Sequence, residues 1–322
     1  TATAEPTTQQ TIAQEQVAED KSPVFIQAVY KHLHKMTPGW LFPYLVALDQ
    51  LPGVGTGRWQ YWADTLLDLK LPDAPIPQVM FAEQPGQAIR RPDQSAVKNI
   101  TACLRQAEQR GHRHADAFRD FVVWLLHGFG DPAFRQYPTP DQIQGFRTDP
   151  ATLDTWYETF DLGLMLLRPA DYMAHFAQGG ENKNYNPYTG AGFFATPMSL
   201  CRMMAQMTFE GGGEQDTRTL SVNDCCCGTG SLLLAASNYS LNICGADISY
   251  DMVNCTKINA WLYMPWVVWW PDFSLLGGPT PAQCKEVLFG KEKQEAHSVT
   301  LKQTDTGQYV MPGFFEEASD GY

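Results

Sequence analysis

The sequence predicts an α/β fold with a parallel sheet, preceded by a mostly α-helical region. One observation is a glycine-rich turn at 228–230 that joins a strand-like apolar run to a helix-like run. Another is a second strand-like run, 241–246, which an acid follows before helical spacing resumes. Because parallel strands need a crossover connection, usually a helix, this order of strand, helix and strand predicts a parallel pair.

The chain is predicted to be helical from about residue 21 to residue 150. Residues 1–20 are rich in Thr, Gln, Ala and Glu and have almost no large apolar side chain, which predicts a disordered tail without a signal peptide. We therefore expect a tail at 1–20, a helical domain at 21–150 and an α/β domain at 151–322. Apolar residues recur at helical spacing in five segments, 23–36, 43–51, 59–69, 95–110 and 114–129.

The glycine turn follows an acid, Asp224, at the end of the first predicted strand. Gly228 and Gly230 allow the backbone to come close to a ligand that a Cβ atom would exclude. Such a turn presents backbone N–H groups at the start of a helix, and Asp224 adds an acceptor where open α/β sheets bind ligands. The pattern predicts a site for a nucleoside cofactor.

A second acid, Asp247, follows the strand-like run 241–246 and precedes a predicted helix at 250–262. An acid about 20 residues after a glycine turn, at the end of the next parallel strand, is placed to accept hydrogen bonds from a ribose diol. The alternative is structural: Asp247 or Ser249 caps the helix that follows.

Upstream of the turn, a glycine-rich approach leads through two phenylalanines to Thr196 and Pro197. Pro197 suits the first helical position and Thr196 the N-cap, which predicts a helix at 198–209. Capping does not account for Phe193 and Phe194, so the approach is a candidate part of the site.

The chain resembles the adenine-N6 DNA methyltransferases in the order of its motifs. These are Gly-x-Phe-x-Thr-Pro, a helix, Asp-x-x-Cys-Gly-Thr-Gly-Ser and an acid after the next strand. It looks most like the modification subunit of type I restriction systems. The resemblance covers roughly residues 160–272, including a predicted helix at 161–176. It implies a Rossmann-like S-adenosylmethionine-dependent methyltransferase sheet, incomplete or modified towards its C-terminus.

The resemblance also implies roles for single residues. Phe194, Thr196 and Pro197 match motif X, which contacts S-adenosylmethionine in that family. Asp247 matches motif II and is expected to hold the ribose. The residues that match motif I, the glycine turn itself, are Asp224, Cys227, Gly228, Thr229 and Gly230.

An aromatic run at 266–270 is predicted to be a third strand, followed by Asp272. Its position is similar to motif III of the family, where an acid approaches the adenine of the cofactor. Asp272 is therefore a further cofactor-binding candidate. A turn that ends the strand is the alternative.

The catalytic motif IV of the family, Asn/Asp-Pro-Pro-Tyr/Phe, does not occur after motif I in this sequence. In that motif an amide or carboxylate holds the adenine amino group for in-line methyl transfer, and the aromatic ring stacks on the flipped base. Asn186-Pro187-Tyr188 has one proline and precedes motif X, so we interpret it as a turn. No catalytic residue is assigned. The remaining chain predicts one or two helical turns at 284–289 and a hairpin within 298–311.

Composition limits the partners and the setting. A formal net charge of −12 repels a polyanion, so we expect any contact with DNA to depend on a partner protein. The three consecutive cysteines 225–227 cannot all face one tetrahedral zinc, and the other five suit buried thiols. We expect no metal, no disulfide and a reduced, cytoplasmic location. No stretch has the roughly 18 apolar residues of a membrane span.

Three hypotheses follow. The first is a DNA adenine methyltransferase or its cofactor-binding subunit, acting with a partner. The second is a catalytically inactive descendant, a pseudoenzyme that serves as a binding or regulatory module in restriction, anti-restriction or a mobile element. The third is a methyltransferase that acts on a substrate other than DNA.

Overall fold

The computed structural model describes residues 37–83, 94–180, 193–210 and 216–291, and two short strands at 302–303 and 309–310. The predicted tail at 1–20, the predicted helix at 23–36 and the segment Asn186-Pro187-Tyr188 lie outside the described residues. The described part is mostly helical and contains a small parallel sheet.

The first half of the described chain is helical, as its apolar spacing predicts. The predicted helices at 43–51, 59–69, 95–110 and 114–129 are confirmed, with ends that differ by at most two residues. The last of these ends at Gly130, whose φ of 76° is the left-handed conformation that stops a helix. The helices are α1 (Leu41–Asp49), α2 (Arg58–Leu67), α3 (Ser95–Gln109), α4 (His114–Phe129), α5 (Pro150–Thr159), α6 (Leu162–Leu167) and α7 (Tyr172–Ala177).

The prediction of one helix at 161–176 is wrong, because the structure has α6 and α7 there with a break between them. Pro169 causes the break. It has no N–H to donate, and it disfavours the helical conformation of the preceding residue. Arg168 accordingly leaves the helical region, with φ −136° and ψ 76°.

The second half alternates short strands and helices around the glycine turn. The predicted helices at 198–209 and 250–262 and the strand at 241–246 are confirmed, the strand in shorter form. The predicted hairpin is confirmed as an antiparallel pair, β3 (Lys302–Gln303) with β4 (Tyr309–Val310). The other elements are α8 (Met198–Phe209), β1 (Val222–Asp224), α9 (Ser231–Ala236), β2 (Ile243–Gly245), α10 (Tyr250–Tyr263), α11 (Pro265–Val268) and α12 (Pro281–Phe289).

The sheet consists of β1 and β2, which pair in parallel with Val222 opposite Ile243 and Asp224 opposite Gly245. Helix α9 connects them and packs on both strands. The predicted parallel strand, helix, strand unit is therefore present. Within the described residues this sheet has two strands, so the larger Rossmann-like sheet stays a prediction.

The predicted third strand at 266–270 is wrong, because residues 265–268 form helix α11. Pro265 occupies the first helical position directly after α10, which starts a new turn. Trp266 is then buried and packs edge-on against Trp62, with ring centroids 6.3 Å apart. The carbonyl of Trp269 accepts from the Trp62 indole at 2.8 Å. Aromatic packing with the N-terminal helices takes the place of strand pairing.

A continuous hydrophobic core joins the helices before residue 150 to the elements after it. Arg58 of α2 is fully buried and donates to the Ser237 hydroxyl at 2.7 Å and to the Tyr263 carbonyl at 2.9 Å. It also bonds to the Asn238 side chain, and its guanidinium lies 5.3 Å from the ring centroid of Trp266. Burial lowers the pKa of Arg58 to about 9, although Asp49 opposes that shift. The N-terminal helices thus pack directly on α9, α10 and α11.

Helix α8 packs on α9 through one face and exposes a row of apolar side chains on another. Its buried residues include Cys201 and Ala205. The exposed row is Leu200, Met203, Met204 and Met207, which share one helical face by their spacing. None of the helices in the described ranges has the length and apolarity that crossing a membrane requires.

Candidate functional site

A cavity of about 390 Å³ lies where β1 and β2 end. Its walls come from residues 193–196 before α8, from Asp224 and residues 226–229 of the glycine turn, from Ser231 and Leu232 of α9, from residues 247–249 after β2 and from Met252 of α10. This volume is in the range of small-molecule sites. The structure brings most of the predicted site residues to this cavity, namely Phe194, Thr196, Asp224, Cys227, Gly228, Thr229 and Asp247.

The glycine turn needs both of its glycines. Gly228 has φ +55° and Gly230 has φ +89°, which are left-handed conformations that side chains disfavour. A Cβ atom on Gly228 would lie 2.9 Å from the ring of Phe193, and one on Gly230 would lie 3.0 Å from Thr256. Gly230 is also the N-cap of α9. The turn is therefore fixed by packing on both sides as well as by backbone conformation.

The two predicted acids face the cavity from adjacent strand ends. Asp224 accepts from the Cys226 N–H at 3.1 Å. Burial raises the pKa of Asp224, the Cys226 bond lowers it, and the charge of Asp247 raises it further. Asp247 accepts from the Gly228 N–H through Oδ2 and from the Ser249 N–H through Oδ1, each at 2.9 Å. Since a carboxylate has about four acceptor sites, Asp247 keeps acceptor capacity towards the cavity.

The capping alternative is confirmed for Ser249 and not for Asp247, and the ribose role of Asp247 stays a prediction. The N-cap of α10 is Ser249, whose hydroxyl accepts from the Met252 N–H at 3.4 Å. Asp247 instead ties the end of β2 to the glycine turn. The Gly228 N–H is therefore bonded to Asp247. The Gly230 N–H donates to the Cys227 carbonyl at 2.7 Å, so both amides have acceptors inside the protein. These two amides are not aimed at a ligand, contrary to what the turn alone suggests.

Asp171 holds the glycine turn from outside the cavity, a role that the sequence pattern does not reveal. It is fully buried at the start of α7, and its Oδ2 accepts from the hydroxyls of Thr229 at 2.6 Å and Ser231 at 2.5 Å. Its Oδ1 accepts from the Asn259 amide at 2.8 Å and from the Ala174 N–H at 2.9 Å. Burial raises the pKa of Asp171, and these hydrogen bonds oppose that shift. The bond from the Thr229 hydroxyl to Asp171 therefore fixes the glycine turn to the start of α7.

The only local signal for Asp171 is its N-cap position on α7, which satisfies the Ala174 N–H. Its bonds to the glycine turn arise from tertiary packing.

The three consecutive cysteines have different environments. Cys227 is buried, with its sulfur 3.5 Å from the Thr256 hydroxyl, and burial raises its pKa to about 12. Cys225 and Cys226 are exposed, and Cys226 lines the cavity. All eight cysteines lie within the described ranges, and none is in a disulfide. The described residues contain no cluster of His, Cys, Asp and Glu that fits a metal ion.

The two phenylalanines of the approach have different positions. Phe193 is half-buried against Gly228, whereas Phe194 is 77% exposed at the cavity. The predicted N-cap role of Thr196 is wrong: α8 begins at Met198 after Pro197, and no side chain caps it. The ψ of 138° at Pro197 is extended, which moves the first helical residue one position along the chain. Thr196 lines the cavity instead.

Asp272 does not line this cavity. It is exposed beyond α11 and accepts from the Ser274 N–H at 2.9 Å, which begins the 3₁₀ turn Ser274–Leu276. Hydrogen bonding to Ser274 lowers the pKa of Asp272. Its position agrees with the turn interpretation of this residue.

The cavity residues lie within a segment that matches a known family model. Residues 181–262, about a quarter of the chain, match the family model described as N-6 DNA Methylase. The matched range contains the approach to α8, the glycine turn and Asp247. It supports a resemblance to the N-6 adenine DNA methyltransferases. No curated protein and no solved structure gives a significant match.

Proposed function

We propose that this chain is a DNA adenine-N6 methyltransferase-like protein that binds S-adenosylmethionine in the cavity at the ends of β1 and β2 and acts with a partner. The observation that carries the proposal is the arrangement of Asp224 and Asp247. They lie at the ends of adjacent parallel strands beside a glycine turn. The cavity that they face lies largely within the part of the chain that matches the N-6 DNA methylases.

The charge of the cavity suits this cofactor. S-adenosylmethionine carries a sulfonium and an ammonium cation beside one carboxylate, so its net charge is positive, and a site lined by acids attracts cations. The described lining residues include Asp224 and Asp247 and no Lys, Arg or His. In this proposal Asp247 accepts from the ribose diol and Asp224 faces the methionine end. Phe194 covers the cofactor, and Leu232 and Met252 supply apolar wall.

The first test is calorimetric titration with S-adenosylmethionine. Replacing Asp247 by Ala removes a hydrogen bond to a charged acceptor, worth about 1.5–3 kcal/mol, so Kd should rise by roughly ten- to a hundredfold. Asp272→Ala is the matched control, because Asp272 is exposed and does not line the cavity. No binding by the folded wild-type chain contradicts the proposal. Equal affinity of D247A and wild type contradicts the ribose assignment.

The proposed reaction is direct displacement at the sulfonium methyl, with no covalent enzyme intermediate. The chain positions the methyl donor. The groups that hold the adenine amino nitrogen and recognise the target are proposed to come from a partner. Support for this division comes from the absence of an Asn/Asp-Pro-Pro-Tyr/Phe motif after β1 and from the net charge of −12.

This division of labour predicts cofactor binding without turnover by the chain alone. Transfer of a radiolabelled methyl group to mixed-sequence DNA measures it, with a complete adenine methyltransferase as the positive control. We expect a signal at background level from this chain. Transfer above background by the chain alone would show that it contains its own catalytic groups.

A second candidate is favoured by the same missing motif: a catalytically inactive module that binds the cofactor for regulation. Both candidates predict that the chain binds the cofactor. They differ in whether a complex with a partner transfers the methyl group. Proteins that co-purify with the tagged chain from its native source supply such complexes. Methyl transfer by any of them supports the enzyme, whereas cofactor binding with no transfer supports the module.

A further inference from the structure

A second cavity, of about 320 Å³, runs along β2, and residues 242–245 form one of its walls. The other walls come from residues 131–132 after α4, from α10 and α11, and from Lys285 of α12. Among the described lining residues, Cys227 alone is shared with the proposed cofactor cavity. This second cavity is therefore a separate site.

The edge of β2 that faces away from β1 carries backbone groups that pair with no strand among the described residues. The Asn242 carbonyl and the Ala246 N–H bond to β1, each at 2.9 Å. With this parallel register, the even-numbered residues of β2 form the ladder with β1. The N–H and C=O groups of Ile243 and Gly245 point to the opposite edge, where no described residue bonds to them. This edge of β2 thus offers two donors and two acceptors.

Helix α11 covers the residues where the sequence predicts a third strand. Its residues Val267 and Val268 line the cavity, and α11 lies beside β2. A helix cannot pair with a strand edge, because its own N–H and C=O groups bond to one another. Unpaired strand edges accept an extended peptide as a further strand. The edge of β2 therefore points to a ligand with a peptide backbone in extended conformation.

Two lysines make this cavity more cationic than the protein as a whole, which has a formal net charge of −12. Lys257 forms an ion pair with the buried Asp131 at 3.0 Å, and Asp131 is the only carboxylate among the described lining residues. Lys285 is exposed and lies 5.3 Å from the ring centroid of Trp270. None of the ion pairs between described residues includes Lys285. The ammonium group of Lys285 is therefore placed to bind a carboxylate of the ligand.

We propose that the second edge of β2 binds an extended segment of a partner protein that carries an acidic side chain. The backbone of this segment pairs with Ile243 and Gly245, which are about 7 Å apart along the strand, so three residues reach both. Its acidic side chain pairs with Lys285, and its apolar side chains contact Val267 and Val268. The proposal rests on the strand edge and the lysines, and it does not depend on cofactor binding.

Fluorescence anisotropy with the full chain measures the binding of a heptapeptide in which valine and threonine alternate around a central glutamate. The peptide is acetylated, amidated and labelled with a neutral fluorophore, and the salt concentration is low so that screening is weak. The matched peptide has lysine in place of glutamate. We expect saturable binding of the acidic peptide and at least tenfold weaker binding of the basic one. No saturable binding of the acidic peptide, or equal binding of both, overturns the proposal.

Lys285→Glu tests the ion pair with the acidic side chain. We expect this variant to bind the acidic peptide at least tenfold more weakly, because attraction becomes repulsion. The matched control is Lys291→Glu, which makes the same charge change at an exposed lysine that does not line the cavity. Both lysines are exposed, so both variants should have the circular dichroism spectrum of wild type. Equal affinities of K285E and K291E overturn the acidic class of the ligand.

Two isomers of the acidic peptide, N-methylated at alternate amides in opposite phase, test the backbone pairing. Successive residues of a strand direct their N–H groups to opposite edges, so one isomer keeps the donors that face β2 and the other loses them. We expect one isomer to bind at least tenfold more weakly than the other. Equal affinities of the two isomers overturn strand addition. Because the assay contains no S-adenosylmethionine, its result is independent of whether the chain binds that cofactor.

Discussion

Replacing Asp171 by Ala should destabilise the protein through its hydrogen bonds to the glycine turn. The carboxylate accepts from two hydroxyls, one side-chain amide and one backbone N–H, and the Thr229 and Asn259 side chains are at most 1% exposed. Each buried donor that loses its acceptor costs about 1–3 kcal/mol. Asn259 retains a second acceptor, the Thr229 carbonyl at 2.7 Å, which limits the loss.

Removing a buried carboxylate also relieves its desolvation, which is the largest cause of the raised pKa of Asp171. The partners left behind are neutral donors, and three of them lose their acceptor at about 1–3 kcal/mol each, so after this offset we expect D171A to cost about 3–5 kcal/mol. Asp171→Asn keeps the shape and one acceptor, so it should cost about 1–2 kcal/mol.

Urea unfolding followed by tryptophan fluorescence measures these differences as a shift of midpoint at constant m. Thr229→Val is the matched single-bond variant and should cost about 1–2 kcal/mol. A loss below about 1 kcal/mol in D171A would contradict the four-bond network, since three buried donors lose their acceptor in that variant.

The remaining predictions concern the turn, the buried arginine and pH. Gly228→Ala should weaken S-adenosylmethionine binding at least tenfold in calorimetry, because its Cβ would lie 2.9 Å from the Phe193 ring. The control Gly277→Ala has similar φ but an open environment, so its affinity should be unchanged. Arg58→Ala should cost about 3–5 kcal/mol in urea unfolding, because its buried acceptors lose their donor; an unchanged midpoint contradicts this. Hydrogen bonding to Arg113 lowers the pKa of Asp116 from 3.8, so its stabilisation is present above that pH and is lost as pH falls towards the folded pKa. Asp116→Asn should therefore have a lower melting temperature than wild type at pH 6, and this difference should shrink as the pH falls below 3.8.

Local sequence signals predict much of the secondary structure. The bounds of α4 and α8 follow from apolar spacing, and Gly130 ends α4 by a left-handed conformation. The run 266–270 misleads because its tryptophans and valines favour strands in general. In the folded chain Pro265 and contacts with Trp62 favour a helix instead. Such a contact joins residues that are distant in the sequence, so no local pattern reveals it.

Some features of the site also follow from local sequence, whereas others depend on tertiary packing. The glycine turn and the two acids are predictable from local residue types, because left-handed backbone and strand-end carboxylates are local requirements. The bonds from Asp171 to the turn and the position of Asp272 away from the cavity depend on long-range packing, which no local pattern predicts. The physical reason is that burial and hydrogen-bond partners depend on how distant helices pack, whereas backbone conformation at a turn is set by a few neighbouring residues.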